Sequence, residues 1–295
     1  MRKSEHPGFI FEGQLTKEQL AFFDKNGFIK FRNFISPETV SLFIDEIKRI
    51  EKQLLSEGVE YVNGIPLKFG IDTNGKVMIQ RMAFLSQFSK PMSDFLKEPR
   101  FQEFLKFLGP YDGRIGENEK DGLILNHYIN TEDSNFSQLG WHTDSPRDLF
   151  LGLRRIMPML NVGIHLDDCP FEHGGLRVIP GTHKQNIFRM LFRKKYFIDH
   201  KTDKDEVGMD VKAGDLTVHD GRLWHRGAQS PLKGEASRRR VMYVPVVTGE
   251  YRPKHKDSPV PFYHKLGAII LINRKVKLDP ESYKVSNLKT EEVEA

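Results

Sequence analysis

Gly140-Trp141-His142-Thr143-Asp144 is the stretch on which the fold and chemistry turn, read with a second far downstream, His219-Asp220-Gly221-Arg222-Leu223-Trp224-His225-Arg226-Gly227. His142, Asp144 and His225 are the residue types of a 2-His-1-carboxylate facial triad, which holds a divalent metal on one face and leaves the opposite face open. Residues i and i+2 of a strand point to the same side. His142 and Asp144 can therefore reach one metal with Thr143 turned away. A His-x-Asp pair alone is frequent by chance and more often belongs to an ordinary surface strand. Its meaning depends on the scaffold around it.

Outward from that stretch, Leu123 to about Val247 reads as short strands separated by turn residues, the pattern of an antiparallel sandwich or barrel. The N-terminal side has a different texture. Thr16 followed by Gln19 is a capping box opening a helix that Asn26-Gly27 ends. Phe28-Ile29-Lys30-Phe31 reads as a strand. Ser36-Pro37 opens a second helix running to about Leu55, with Val40, Phe43, Ile44, Ile47, Ile50 and Leu54 at core spacing. Residues 1–14 are expected to wander over the surface, and 56–76 to be loop. Val77 to Phe84 is expected as a strand, Lys90 to Leu108 as helix broken near Pro99, and Asp112 to Asp121 as a turn. Arg189 to Asp210 is charged and long for a connection, so it is expected as a mobile flap. The expected organisation is one domain over 1–295: a helical region with early strands (15–110), a β core (123–247), and an extension ending in a frayed tail (248–295).

The chain has 295 residues and a formal net charge of +5. That balance suits an anionic small molecule but does not demand nucleic acid, and no aromatic-basic stripe favours it. Arg193-Lys194-Lys195 and Lys254-His255-Lys256 read as solvated faces. The one cysteine, Cys169, rules out an internal disulfide and reads as a small buried side chain. Met1 to Glu5 lacks the apolar run of a signal peptide, and Leu266 to Ile272 is too short to span a bilayer. A cytoplasmic setting with no membrane partner is expected. Oligomeric state is not readable.

Several segments together resemble the phytanoyl-CoA dioxygenase family. They are Leu15 to Phe28, Phe34 to Glu38, Trp141-His142-Thr143-Asp144, Leu166-Asp167-Asp168, Glu172 to Lys184, and Ala213 to His219 leading into Leu223-Trp224-His225. The resemblance implies a mainly β protein with flanking helices and a double-stranded β-helix (jelly-roll, cupin-like) core. It implies non-haem Fe(II), with 2-oxoglutarate and O₂ as co-substrates, and hydroxylation of a small organic substrate with release of succinate and CO₂. It makes His142, Asp144 and His225 the iron ligands. His219 is the nearby rival; a preceding apolar strand and Gly227 favour His225.

The resemblance also places an Arg for the distal carboxylate of 2-oxoglutarate at the start of the last core strand, where a fork fixes position and charge. Alignment selects Arg239, with Arg238 and Arg240, which share the other face, as the joint alternative. Asn126 falls where the family contacts the co-substrate; a strand Asn bonded to backbone is the equal alternative. Where several relatives have a Trp near the co-substrate this chain has Gly163, so that wall must be built differently. Iron halogenases of this scaffold carry a small residue where Asp144 stands, so oxygen transfer is expected. His165, His173 and His183 read as structural or exposed, and Trp141 and Trp224 as packing beneath the ligands. Arg147, Arg154 and Arg155 are candidates for binding an anionic substrate, with solvated charge the better reading. Specificity is expected on loops 56–76, 111–122, 145–158 and 186–210. The competing reading from another class is a catalytically idle jelly-roll that binds a metal or ligand.

Overall fold

The computed structural model describes residues 8–132, 134, 136–144 and 156–261. Thr16 caps α1 (Lys17–Asn26): its hydroxyl accepts from the Gln19 amide while the Gln19 side chain accepts from the Thr16 amide. Gly27 closes the helix in the left-handed conformation at φ 79°, and a Cβ there would meet the His183 ring 2.4 Å away. The chain turns directly into β1 (Phe28–Phe31). Ser36 caps α2 (Pro37–Ser56) with Pro37 in the first turn.

Strands β2 (Tyr61–Val62) and β3 (Ile65–Pro66) form a hairpin, followed by β4 (Lys68–Ile71) and β5 (Val77–Met82). Two short helices, α3 (Lys90–Leu96) and α4 (Pro99–Glu103), meet at Pro99, as expected for a residue that cannot continue a helix. The rest is mostly strand: β6 (Gly113–Ile115), β7 (Ile124–Asn130), β8 (Leu139–His142), β9 (Met159–His165) and β10 (Gly175–Val178). After α5 (Ile187–Phe192) come β11 (Val207–Gly208), β12 (Leu216–Asp220), β13 (His225–Ala228) and β14 (Gly234–Thr248).

These strands form a large sheet in the order β1-β12-β9-β14-β7-β5-β4, with β6 also on β14, and a small sheet in the order β11-β10-β13-β8. The two face each other as a jelly-roll. Arg239 of β14 donates across to the Ala228 carbonyl of β13 at 2.9 Å, and the His219 and His225 rings lie 4.5 Å apart.

Alternation along the large sheet separates two faces. Leu125, Val162, Ile164, Leu216, Val218, Met242 and Val244 join Phe43, Ile47, Ile50 and Leu54 of α2 in the main apolar core. The intervening residues turn into the roll. Register places Thr217, Gly163 and Tyr243 side by side, His219 beside Asn161, Arg239 beside Tyr128, and Val241 beside Asn126.

Four sequence expectations are corrected. Residues 8–14 do not wander: Phe9 bridges Phe31, and Phe11 packs against Phe31, Phe34 and Phe104 at ring separations of 5.5–5.6 Å. Residues 56–76 are not simply loop; they hold β2, β3 and β4, and β4 extends the large sheet by pairing with β5. Within 112–121, Gly113–Ile115 pairs with Val246–Thr248. The segment expected as a flap is hydrogen-bonded along the outer edge of β8: the Trp141 amide donates to Asp199 O at 2.8 Å, and the Phe197 amide to Trp141 O at 2.9 Å. That contact covers an otherwise unpaired edge strand. Residues 1–7, Arg147, Arg154, Arg155 and everything from 262 onward, including Leu266 to Ile272 and the expected tail, lie outside the described residues. Among the described residues no helix is long and apolar enough to cross a membrane.

Candidate metal centre

His142 ends β8 and His225 begins β13, and the two are register partners across the small sheet. Their rings are 4.1 Å apart. Asp144 lies just past the end of β8, its amide bonded to Gly221 O at 2.7 Å. Its carboxylate is 3.9 Å from His142 Nε2 through Oδ1 and 3.5 Å from His225 Nε2 through Oδ2. One ligand atom from each of the three lies within 4.8 Å of the others. Thr143 turns away and exchanges a 2.8 Å hydrogen bond with the Tyr196 hydroxyl.

The tautomers follow from the partners. His142 Nδ1 lies 2.8 Å from Gly140 O, and His225 Nδ1 lies 2.9 Å from Leu223 O. A carbonyl only accepts, so both rings donate from Nδ1 and turn Nε2 toward Asp144. Burial pushes His142 down to about 3, so this imidazole is neutral, as a ligand must be. Burial pulls the Asp144 carboxyl upward. The neighbouring imidazoles of His225, His142 and His219 and the Asn161 amide outweigh it and leave Asp144 below its ordinary value, ionised. Two imidazole nitrogens and one carboxylate on a common face make a donor set for a divalent first-row metal.

His219, the rival ligand, stands outside this set. Its Nε2 faces the Asn161 amide at 3.3 Å, and its Nδ1 is buried without a partner. The same Asn161 amide donates to Asp144 Oδ2 at 2.6 Å. His165 is buried against the Thr217 hydroxyl at 3.0 Å, and His183 donates to Asp24 O at 3.0 Å. Trp141 and Trp224 are fully buried beneath the ligands with Ile179. Cys169 is free and buried, and burial pushes its thiol up, away from the reactive thiolate.

The three consecutive arginines divide by face. Arg238 pairs with Glu235 and contacts His127, and Arg240 forms a fork on Asp167 at 2.6 and 2.9 Å. Arg239 points into the roll. It donates to Ala228 O at 2.9 Å and Ser137 O at 3.3 Å and lies over the Tyr128 ring at 5.1 Å. No carboxylate pairs with it among the described residues, and its Nε is buried without a partner. Asn126 is on the same face, with its Oδ1 buried and unpartnered. The wall left open by Gly163 is filled from the next strand: a Cβ at Gly163 would stand 2.4 Å from Tyr243 Cε1.

Sequence reasoning did not single out Asn161, Tyr243 or Phe197 for the site. Phe197 stacks on the His142 ring at a centroid separation of 4.7 Å. Asn161 carried a signal, a polar residue amid the apolar run Met159–Ile164. Phe197, on the long connection, carried none.

A jelly-roll with a His-x-Asp…His cluster held between its sheets is the architecture of the cupin-like metal-dependent oxygenases. The model of the phytanoyl-CoA dioxygenase (PhyH) family matches residues 23–239, and the chain belongs to that family. It is 24% identical over 266 residues to phytanoyl-CoA dioxygenase 1 of Oryza sativa subsp. japonica, a match covering 76% of this chain and 88% of that protein. Among solved structures, the non-haem α-ketoglutarate-dependent carbocyclase SnoK from nogalamycin biosynthesis superposes with a TM-score of 0.59 at 19% identity, covering 85% of this chain and 92% of that one. HygX from Streptomyces hygroscopicus with nickel and 2-oxoglutarate bound gives a TM-score of 0.57 at 17% identity, over 81% and 89%.

Proposed function

We propose that this chain is an Fe(II)- and 2-oxoglutarate-dependent dioxygenase that hydroxylates a small organic substrate, with His142, Asp144 and His225 as the iron ligands. The observation that carries the reading is the convergence of two imidazole Nε2 atoms and one ionised carboxylate within 4.8 Å. The family supports it, as does the crystal structure of HygX, which shares the fold, with nickel and 2-oxoglutarate bound. When bound, the metal with 2-oxoglutarate and O₂ supplies the oxidising power, releasing succinate and CO₂.

The residues of this chain supply position and charge. Gly140 O and Leu223 O hold the two imidazoles by their Nδ1 protons, so each ring turns its lone pair to the same point. Asn161 steadies one carboxylate oxygen of Asp144. Arg239 is the anchor for the distal carboxylate of 2-oxoglutarate: its guanidinium is buried, inward-facing and without an acidic partner among the described residues, whereas Arg238 and Arg240 are already neutralised on the other face. Asn126 adds a hydrogen bond to that carboxylate. Turning its amide end for end puts the NH₂ where the unpartnered oxygen now stands. Tyr243 forms the wall opposite Gly163. The roll keeps bulk water from the reacting centre.

The test is anaerobic Fe(II) titration followed by succinate release from 2-oxoglutarate on admitting air, without substrate. Wild type should bind iron and make succinate. If His142→Ala turns over at the wild-type rate, the enzyme reading fails and the idle metal-binding jelly-roll stands.

A further inference from the structure

The connection from α5 to Ile198 has two unlike sides. Its inner side is fastened to the metal-bearing strand. Met190 is buried, the Tyr196 hydroxyl donates to Met190 O at 2.7 Å and meets Thr143, and Phe197 covers the His142 ring. Its outer side is apolar to a degree unusual for a soluble surface: Phe188 is 72% exposed, Phe192 76% and Ile198 56%, with Ile187 and Phe197 also exposed.

Charge on this side has one sign. Asn186 to Ile198 contains Arg189, Arg193, Lys194 and Lys195 and no acidic residue. Lys194 is drawn inward to Asp203 at 2.7 Å, and Arg193 reaches Asp203 and Asp205 only at 3.8–3.9 Å. Arg189 and Lys195 are exposed and have no ion-pair partner among the described residues. Of the acids that follow, Asp199 and Asp203 face Lys194, Glu206 is forked by Arg226, and the exposed Asp205 lies 3.8 Å from Arg193.

We propose that this face docks on an anionic lipid bilayer surface, with Phe188 and Phe192 entering the headgroup boundary and Arg189 and Lys195 meeting lipid phosphates and carboxylates. Interleaved bulky apolar and basic side chains are what such a surface rewards, one by burial and the other by its negative potential. A second copy of the chain complements the aromatics but sets like charges against each other, so the bilayer is the better partner. The absence of a long apolar helix among the described residues bears on spanning a bilayer and not on lying at its surface. Because the inner side of the same segment covers His142, docking would set the metal cluster beside the lipid, and a lipid-borne substrate is the consequence if the enzyme reading holds. The docking itself does not rest on that reading.

The test uses the full chain and co-sedimentation with vesicles of phosphatidylcholine alone or of phosphatidylcholine with phosphatidylserine. The chain should pellet with the anionic vesicles only, less as salt is raised. The double variant Phe188→Ser/Phe192→Ser and the double variant Arg189→Glu/Lys195→Glu should each lower partitioning at least about tenfold while leaving circular dichroism and vesicle-free succinate release unchanged. Failure of wild type to pellet with anionic vesicles overturns the proposal. So does equal pelleting with neutral ones, or a wild-type dimer that the Phe188→Ser/Phe192→Ser variant converts to monomer. Absent succinate release alongside intact vesicle binding would sink the enzyme reading and leave the docking surface standing.

Discussion

The two faces of the large sheet are built from the same four strands and do opposite things. On the helix-facing side, Leu125, Val162, Ile164, Val218, Met242 and Val244 are buried against α2 and contribute stability through lost apolar surface. On the roll-facing side stand Asn126, Asn161, His165, Thr217, His219, Arg239 and Tyr243, on alternate positions of the same strands. Several of their polar atoms, Asn126 Oδ1, His219 Nδ1 and Arg239 Nε among them, are buried without partners. Orphaned buried polar atoms cost free energy and persist where a ligand completes them. One face therefore holds the fold and the other is organised for chemistry, and the period-2 alternation keeps the two apart.

That division can be broken first at the ligands. His142→Ala should lower succinate release at least ~1,000-fold, since metal chemistry is lost outright, while the melting temperature of the metal-free protein stays within a few degrees. A proportional collapse of stability would show that the inner face is structural after all.

The arginine row sharpens the contrast. Arg239→Lys keeps the charge and loses the fork, so KM for 2-oxoglutarate should rise about 10- to 100-fold. Arg240→Lys, on the opposite face against Asp167, should leave KM unchanged. A reversed result would move the co-substrate anchor to the wrong side of the sheet. On the helix-facing side, Leu125→Ala should cost about 3 kcal/mol in chemical denaturation with KM unaffected, because Leu125 is fully buried in the main core.

The smallest effect concerns Glu51, on the α2 side, whose carboxylate accepts from the Ile79 amide at 2.5 Å. Burial raises its pKa from 4.5 to about 7, against the opposing pull of that bond and of Arg238. The unfolded chain releases this proton near 4.5 and the folded one holds it to about 7, so stability falls as pH rises through that window. The loss should be on the order of 1 kcal/mol after solvent screening of the partly exposed side chain. Glu51→Gln should flatten this segment of the stability–pH curve, and an unchanged slope would remove Glu51 as its source.

Much of this was legible in the sequence where the signal is local. Thr16 with Gln19 and Ser36 with Pro37 marked both long helices, because capping partners lie within one turn. Trp141 and Trp224 beside the two histidines marked buried strand ends. What stayed hidden depends on distant partners. Strands β2 and β3 are two residues each, too short for alternation to register. Phe11 sits in an aperiodic stretch, and its ring partners reach as far as Phe104. Gly163 was readable as a gap in the wall, but not that Tyr243 fills it, because that pairing is set by the register of β9 with β14. The choice among Arg238, Arg239 and Arg240 hinged on a one-residue phase that no local pattern supplies.

Tyr243 and Arg239 stand on the same face of one strand, four residues apart. In the proposed reading, the wall beside Gly163 and the guanidinium that would anchor 2-oxoglutarate ride on a single strand. Restoring a large aromatic at 163 would collide with the one at 243, so the two positions can change identity only as a pair, and each tolerated exchange would pass through a crowded or a hollow intermediate. Divergence at this wall is therefore expected in coordinated steps, with the neighbouring guanidinium held still throughout.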